Sequence, residues 1–217
     1  MYHYIYAFNY WQMLKRMLSN PSLLFLVAGN LYCIWYFQNH PDGFATVVWI
    51  YWFQSIIIGL FNFLFLLTVK NFNTNNFTMN DKPVKAESKG CMAWFFLVHY
   101  GFFHLGYAVF LLVDFGVRSL DIQLLWIGVV AFFLESIMNF IRQKQMESRV
   151  SFQISTLFFM PYLRIVPMHL MILLPAFFGW QPSMLFLILK MAADFLSFIL
   201  LQKQYGNSGM KEGGKTF

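Results

Sequence analysis

Charge is nearly absent from six long stretches of this chain. The runs 22–38, 44–69, 91–113, 122–141, 157–180 and 183–202 together hold four Asp, Glu, Lys or Arg residues: Glu135, Arg164, Lys190 and Asp194. Elsewhere the charged residues crowd the gaps. At about 1.5 Å per residue, a helical run of about 20 apolar residues matches the hydrocarbon thickness of a bilayer. Hydrocarbon offers no partner to a free N–H or C=O, so runs of this kind must be helices. The expectation is an all-α polytopic membrane protein, a bundle of six transmembrane helices with those boundaries.

Composition agrees. Charged residues make up 11% of the chain and apolar ones 59%, whereas a soluble domain is about 25% charged. The length of 217 residues suits one domain. The net charge of +6 does not point to nucleic acid, because its basic residues sit in short gaps between apolar runs. Lys15 and Arg16, then Lys70, Lys82, Lys85 and Lys89, then Arg142, Lys144 and Arg149, then Lys203, Lys211 and Lys215 fall on one side of the expected topology. Arg118 alone falls on the other. Basic loops stay in the cytoplasm, so both termini are expected there. The lipid bilayer is the expected partner, with other membrane subunits as further candidates.

Outside the spans, residues 1–20 are rich in tyrosine (Tyr2, Tyr4, Tyr6, Tyr10) beside Trp11, which suggests an interfacial segment. Residues 203–217 are rich in glycine and lysine and are expected to form a mobile tail. Cys33 and Cys91 carry no metal-ligand spacing and should lie near opposite faces, so no disulfide is expected.

Polar groups inside the runs are the candidates for function, because hydrocarbon tolerates them only where they face protein or water. Glu135 and Arg164 each lie about seven residues from the cytoplasmic end of their span, roughly 10 Å deep. They are expected to pair, either as a structural lock or as a gate or anion site. Lys190 and Asp194 stand at i,i+4 in the sixth span and should neutralise each other. His99 and His169 lie nearer the midplane on two parallel spans, so a haem or metal held between them is geometrically conceivable. His104 is five residues beyond His99 and roughly 140° around the helix, so those two do not form a one-face metal pair. Gly101 and Gly106 suit close helix approach. Pro161, Pro167 and Pro175 should bend the fifth span. The even-numbered spans share a motif: Gln54-Ser55, Glu135-Ser136, and Asp194 with Ser197.

No Gly-rich phosphate loop, H-E-x-x-H or G-x-S-x-G motif is present. The reading is a non-enzymatic membrane protein. Its candidate pocket residues, His99, His104, Glu135, Arg164, His169 and Asp194, would hold an ion, a proton or a small ligand. Two alternatives stand beside it: an accessory or assembly subunit of a larger membrane complex, and a haem- or metal-binding oxidoreductase.

Three segments carry a family resemblance. They are Phe96-Leu97-Val98-His99-Tyr100-Gly101-Phe102-Phe103-His104, then Asn139-Phe140 with Arg149-Val150-Ser151, then Pro161-Tyr162-Leu163-Arg164-Ile165-Val166-Pro167-Met168-His169-Leu170. Together they resemble an uncharacterised family of small bacterial polytopic inner-membrane proteins, classed as a domain of unknown function. The resemblance spans most of the third to fifth runs. It implies a bacterial inner membrane and no particular activity. The chain departs from the family pattern at Leu163, where a small residue is usual, and in lacking a histidine in the fourth span. The second departure leaves a three-histidine metal site without its third ligand.

Overall fold

The computed structural model describes residues 20–74, 78–79, 82–83, 86–179 and 184–212. Six long helices are present: α1 (Pro21–Asn39), α2 (Phe44–Thr68), α3 (Lys89–Asp114), α4 (Ile122–Met146), α5 (Ile154–Phe178) and α6 (Met184–Glu212). Local chemistry sets their ends. Asn20 caps α1, its side chain accepting from the Ser22 N–H at 3.1 Å, and Pro21 takes the first helical position. Asp121 caps α4 through the Leu124 N–H at 3.0 Å. Beyond the end of α3, Gly116 turns left-handed at φ 62° and its N–H reaches back to the Leu111 carbonyl.

The boundaries differ from expectation mainly at one end. The chain continues as helix through Glu212, where a tail was expected from 203 onward. Leu201-Gln202-Lys203-Gln204 are good helix formers and contain no proline to stop the turn. The expected interfacial segment falls on residues outside those described, apart from Asn20.

Among the described residues, four helices are long and apolar enough to cross a membrane: Pro41–Thr68, Lys89–Asp114, Ile122–Met146 and Met184–Leu201. The α1 helix, with 19 residues including Asn30, Gln38 and Asn39, is less apolar. The apolar stretch of α5 is described over Ile154–Pro167. The proline-bearing α5 is one continuous helix.

Packing order is not chain order. The α4 helix packs against α1 and α2, α2 against α5, α5 against α6, and α6 against α1. These five close a ring. The third helix lies outside it, packed on α2 with a light contact to α5. Close approach is made by glycines other than those expected. A Cβ on Gly59 would lie 2.4 Å from the Tyr100 ring, and one on Gly128 would lie 2.8 Å from Ile50. Gly101 and Gly106 have nothing within 4 Å, because they face outward on α3.

A clamp joins the ends of four helices, α2, α3, α4 and α5. Residues 72–73 (β1) pair in parallel with residues 152–153 (β2), and Phe152 is buried edge-on against Phe65. Glu147 accepts from the backbone N–H groups of Lys70 and Asn71 and from Lys144. Lys144 also donates to the Thr68 carbonyl at 2.9 Å, and Lys89 to the Val69 carbonyl at 2.5 Å. These two lysines satisfy carbonyls left open where α2 ends. Burial pushes the Glu147 carboxyl up, but the Lys70 N–H, Lys144 and the Asn71 N–H outweigh it and hold it below its ordinary value of 4.5.

Candidate functional site

The interior of the ring is polar. Asp194 on α6 is 0% exposed and stands at its centre. Its Oδ1 accepts from Lys190 Nζ at 2.6 Å. Its Oδ2 accepts from Asn30 Nδ2 on α1 and from Gln54 Nε2 on α2, both at 3.1 Å. Arg164 on α5 reaches Oδ1 at 3.9 Å from Nε, beyond hydrogen-bond distance. One carboxylate thus gathers partners from four helices. Lys190 is 1% exposed, and its ammonium lies over the Tyr51 ring, 5.2 Å from the centroid. This is the self-neutralising i,i+4 pair read from the sequence, but it is embedded in a wider network.

Glu135 is not the ion-pair partner of Arg164. Among the described residues the ion pairs are Lys144–Glu147, Arg164–Asp194 and Lys190–Asp194. Glu135 (1% exposed) and Arg164 (5%) instead line one cavity, with Asn62, Ser136, Asn139 and Gln143 among its other walls. Glu135 Oε2 accepts from Ser136 Oγ at 3.3 Å, while Oε1 is buried without a hydrogen-bond partner. The room open to water there is about 40 Å³. A water needs roughly 10–15 Å³ on this measure, so the cavity has room for a few waters.

The cavity has a polar approach that the sequence reading did not pick out. Glu135, Asn139, Gln143 and Glu147 recur every four residues and so share one face of α4. The first three line the cavity, and the fourth belongs to the clamp where α2 ends. Half-exposed Asn62 and Asn139 carry the cavity wall out to the surface. The i,i+4 recurrence of polar residues within an apolar run was the available signal.

The histidines lie elsewhere. Because α3 is outside the ring, His99 and His104 do not reach the cavity. His99 is exposed, stacked on Phe95, with Nδ1 on the Tyr162 hydroxyl at 2.8 Å. His169 on α5 faces α3, with Nε2 against the Tyr107 hydroxyl and Nδ1 on the Ile165 carbonyl at 3.3 Å. His104 is buried, with Nδ1 on the Tyr100 carbonyl at 2.9 Å. His99 and His169 therefore each take a tyrosine hydroxyl rather than facing a shared ligand. Among the described residues no group of three or more His, Cys, Asp or Glu could hold a metal ion. Cys33 is buried and Cys91 exposed, and both are free.

Of the six candidate residues, the fold brings together Glu135, Arg164 and Asp194, and adds Lys190, Asn30 and Gln54. The even-numbered helices all turn their shared motif inward, since Gln54, Ser55, Glu135, Ser136, Asp194 and Ser197 are buried.

These features define a class: an all-helical protein with several membrane-length apolar helices and a charged interior. The sequence pattern of a family of unknown function, DUF6498, matches residues 12–209, and the chain belongs to that family. No curated protein and no solved structure matches it.

Proposed function

We propose that this is a six-span protein of the bacterial inner membrane, with both termini cytoplasmic, that takes a proton or small ion into the cavity between Glu135 and Arg164. The observation that carries the reading is that Glu135, whose Oε1 is buried without a hydrogen-bond partner, lines a cavity with room for water. A purely structural interior does better with apolar side chains, because each buried ionised group costs desolvation free energy. The polar face of α4 gives access from the end that carries the basic loops, which is the cytoplasmic end by charge bias.

The outward surface supports the membrane placement. Val98 (70% exposed), Phe102 (75%) and Val113 (77%) on α3 form an apolar face suited to acyl chains. The apolar outer face and apolar core enclose one buried polar cluster. We assign it no catalysis. The accessory-subunit alternative predicts instead a stoichiometric membrane partner on the outer face of α3.

Infrared difference spectroscopy on reconstituted protein tests the reading. A carboxyl band that is missing in Glu135→Gln, titrates with pH and exchanges promptly in D₂O is the expected result. A Glu135 band that neither titrates nor exchanges would mean a dry structural acid and would end it.

A further inference from the structure

The charges around the cavity do not balance in every protonation state, and the imbalance has one sign. Among the described residues, Lys190 and Arg164 are the two buried cations. Asp194 is committed to Lys190 at 2.6 Å and meets Arg164 only at 3.9 Å. With Glu135 ionised, two cations face two carboxylates. With Glu135 protonated, one positive charge is left over, and its carrier lining the cavity is Arg164. An uncompensated charge in a low-dielectric interior is costly and draws a counter-ion.

The donors fit an anion. Arg164 presents a planar fork with five N–H groups. Asn62 Nδ2 is buried and unpartnered at the same cavity. A protonated Glu135 would turn its unpartnered Oε1 from an acceptor into a possible donor toward the same space. The room of about 40 Å³ open to water is enough for a chloride-sized or formate-sized ion.

The titratable and charged groups on the elements around Glu135 are few. Those that act on it are Arg164 on α5 and Lys190 and Asp194 on α6, with Tyr51 on α2 and Cys33 on α1 beside the Lys190–Asp194 pair. All three histidines of the earlier reading lie at the α3–α5 contact or on the outer face of α3, away from the cavity lining.

Resting on the pocket reading above, we propose that the cavity binds a small monovalent anion at Arg164 together with a proton on Glu135. No bond is made or broken beyond the proton taken by the carboxylate. Charge is conserved because one proton and one anion enter as a pair. Linkage makes the coupling reciprocal: the anion favours protonation and protonation favours the anion.

The experiment is isothermal titration of sodium chloride and sodium formate into the purified full chain in a gluconate background, across a pH series. Wild type should bind at acid pH and weaken by about tenfold per pH unit above the titration of Glu135. Glu135→Gln fixes the neutral form, so its binding should persist with no pH dependence. Arg164→Gln should abolish binding, and where that variant misfolds, the wild-type series and Glu135→Gln decide the matter. Absence of binding by folded wild type at acid pH overturns the proposal, as does binding by wild type that is indifferent to pH. Loss of binding in Glu135→Gln overturns it too. A Glu135 band that titrates in the infrared without any anion binding would sink this inference while leaving the pocket reading intact.

Discussion

Replacing Asp194 by asparagine changes charge and almost nothing else. The side chain keeps its size, so no cavity opens at a position that is 0% exposed. Its contacts to Asn30 and Gln54 remain possible, because an amide oxygen can still accept at 3.1 Å. What is lost is the counter-charge to Lys190 at 2.6 Å and to Arg164 at 3.9 Å. Removing one member of a buried ion pair costs about 3–5 kcal/mol, because the survivor stays desolvated. The upper half of that range is expected here, since two cations share the carboxylate. Lys190→Met should cost a similar amount by leaving Asp194 in excess, while its straight side chain keeps the packing over Tyr51. The double change Asp194→Asn with Lys190→Met restores formal neutrality with Glu135 and Arg164. It should recover most of the loss, leaving a net cost of about 1–2 kcal/mol from weakened hydrogen bonds. Equilibrium unfolding in mixed detergent micelles for the four proteins gives the double-mutant cycle. A double variant as unstable as the sum of the singles would refute the idea that charge balance holds the interior together.

Gly59→Leu should displace the Tyr100 ring that lies 2.4 Å from the built Cβ and break the Tyr100 hydroxyl bond to the Ser55 carbonyl, costing about 1–3 kcal/mol. Gly101→Ala, with nothing within 4 Å, should be neutral or slightly stabilising in the same thermal assay. Glu147 supplies a pH signature. Its folded value lies below 4.5, so its stabilisation is complete above that pH and is lost as pH falls through the folded value. The melting-temperature gap between wild type and Glu147→Gln should therefore be constant at neutral pH and shrink below about 4.5. On a Cys91→Ser background, Ser148→Cys should react with an impermeant maleimide only from the cytoplasmic side and Asp42→Cys only from the other. Labelling of position 148 in intact cells would overturn the topology.

Much of the architecture is legible in the sequence, because hydrocarbon-length runs and capping residues act locally. Asn20-Pro21 and Asp121 start helices where their spacing says they should, and Lys190 meets Asp194 because i,i+4 is fixed by the helix itself. Neighbourhood between helices is another matter. Nothing local shows that α3 leaves the ring, so His99 and His169 at similar depth looked convergent when one faces outward and the other a tyrosine. Glu135 and Arg164 were matched by depth alone. The fold keeps that depth but lets Asp194, held from four sides, take the nearer place beside Arg164. The glycines that matter are those opposite large rings, a property of the partner helix rather than of their own. The α4 stripe is visible in the sequence, but its middle members, Asn139 and Gln143, are uncharged and do not stand out against the apolar run.

The position of Asp194 along the chain has a consequence for biogenesis. Asn30, Gln54, Glu135 and Arg164 all emerge from the ribosome before it, so the carboxylate that organises the interior arrives with the last helix. Until α6 is made, Arg164 has Glu135 alone as a buried counter-charge. Helices α5 and α6 are joined by a short connection, from Gly179 to Met184. Such a hairpin can enter the bilayer as one unit, bringing the guanidinium and both members of the Lys190–Asp194 pair in together. On the membrane reading proposed above, a chain stopped after α5 would leave Arg164 with Glu135 but without Asp194, the carboxylate that ties the interior together.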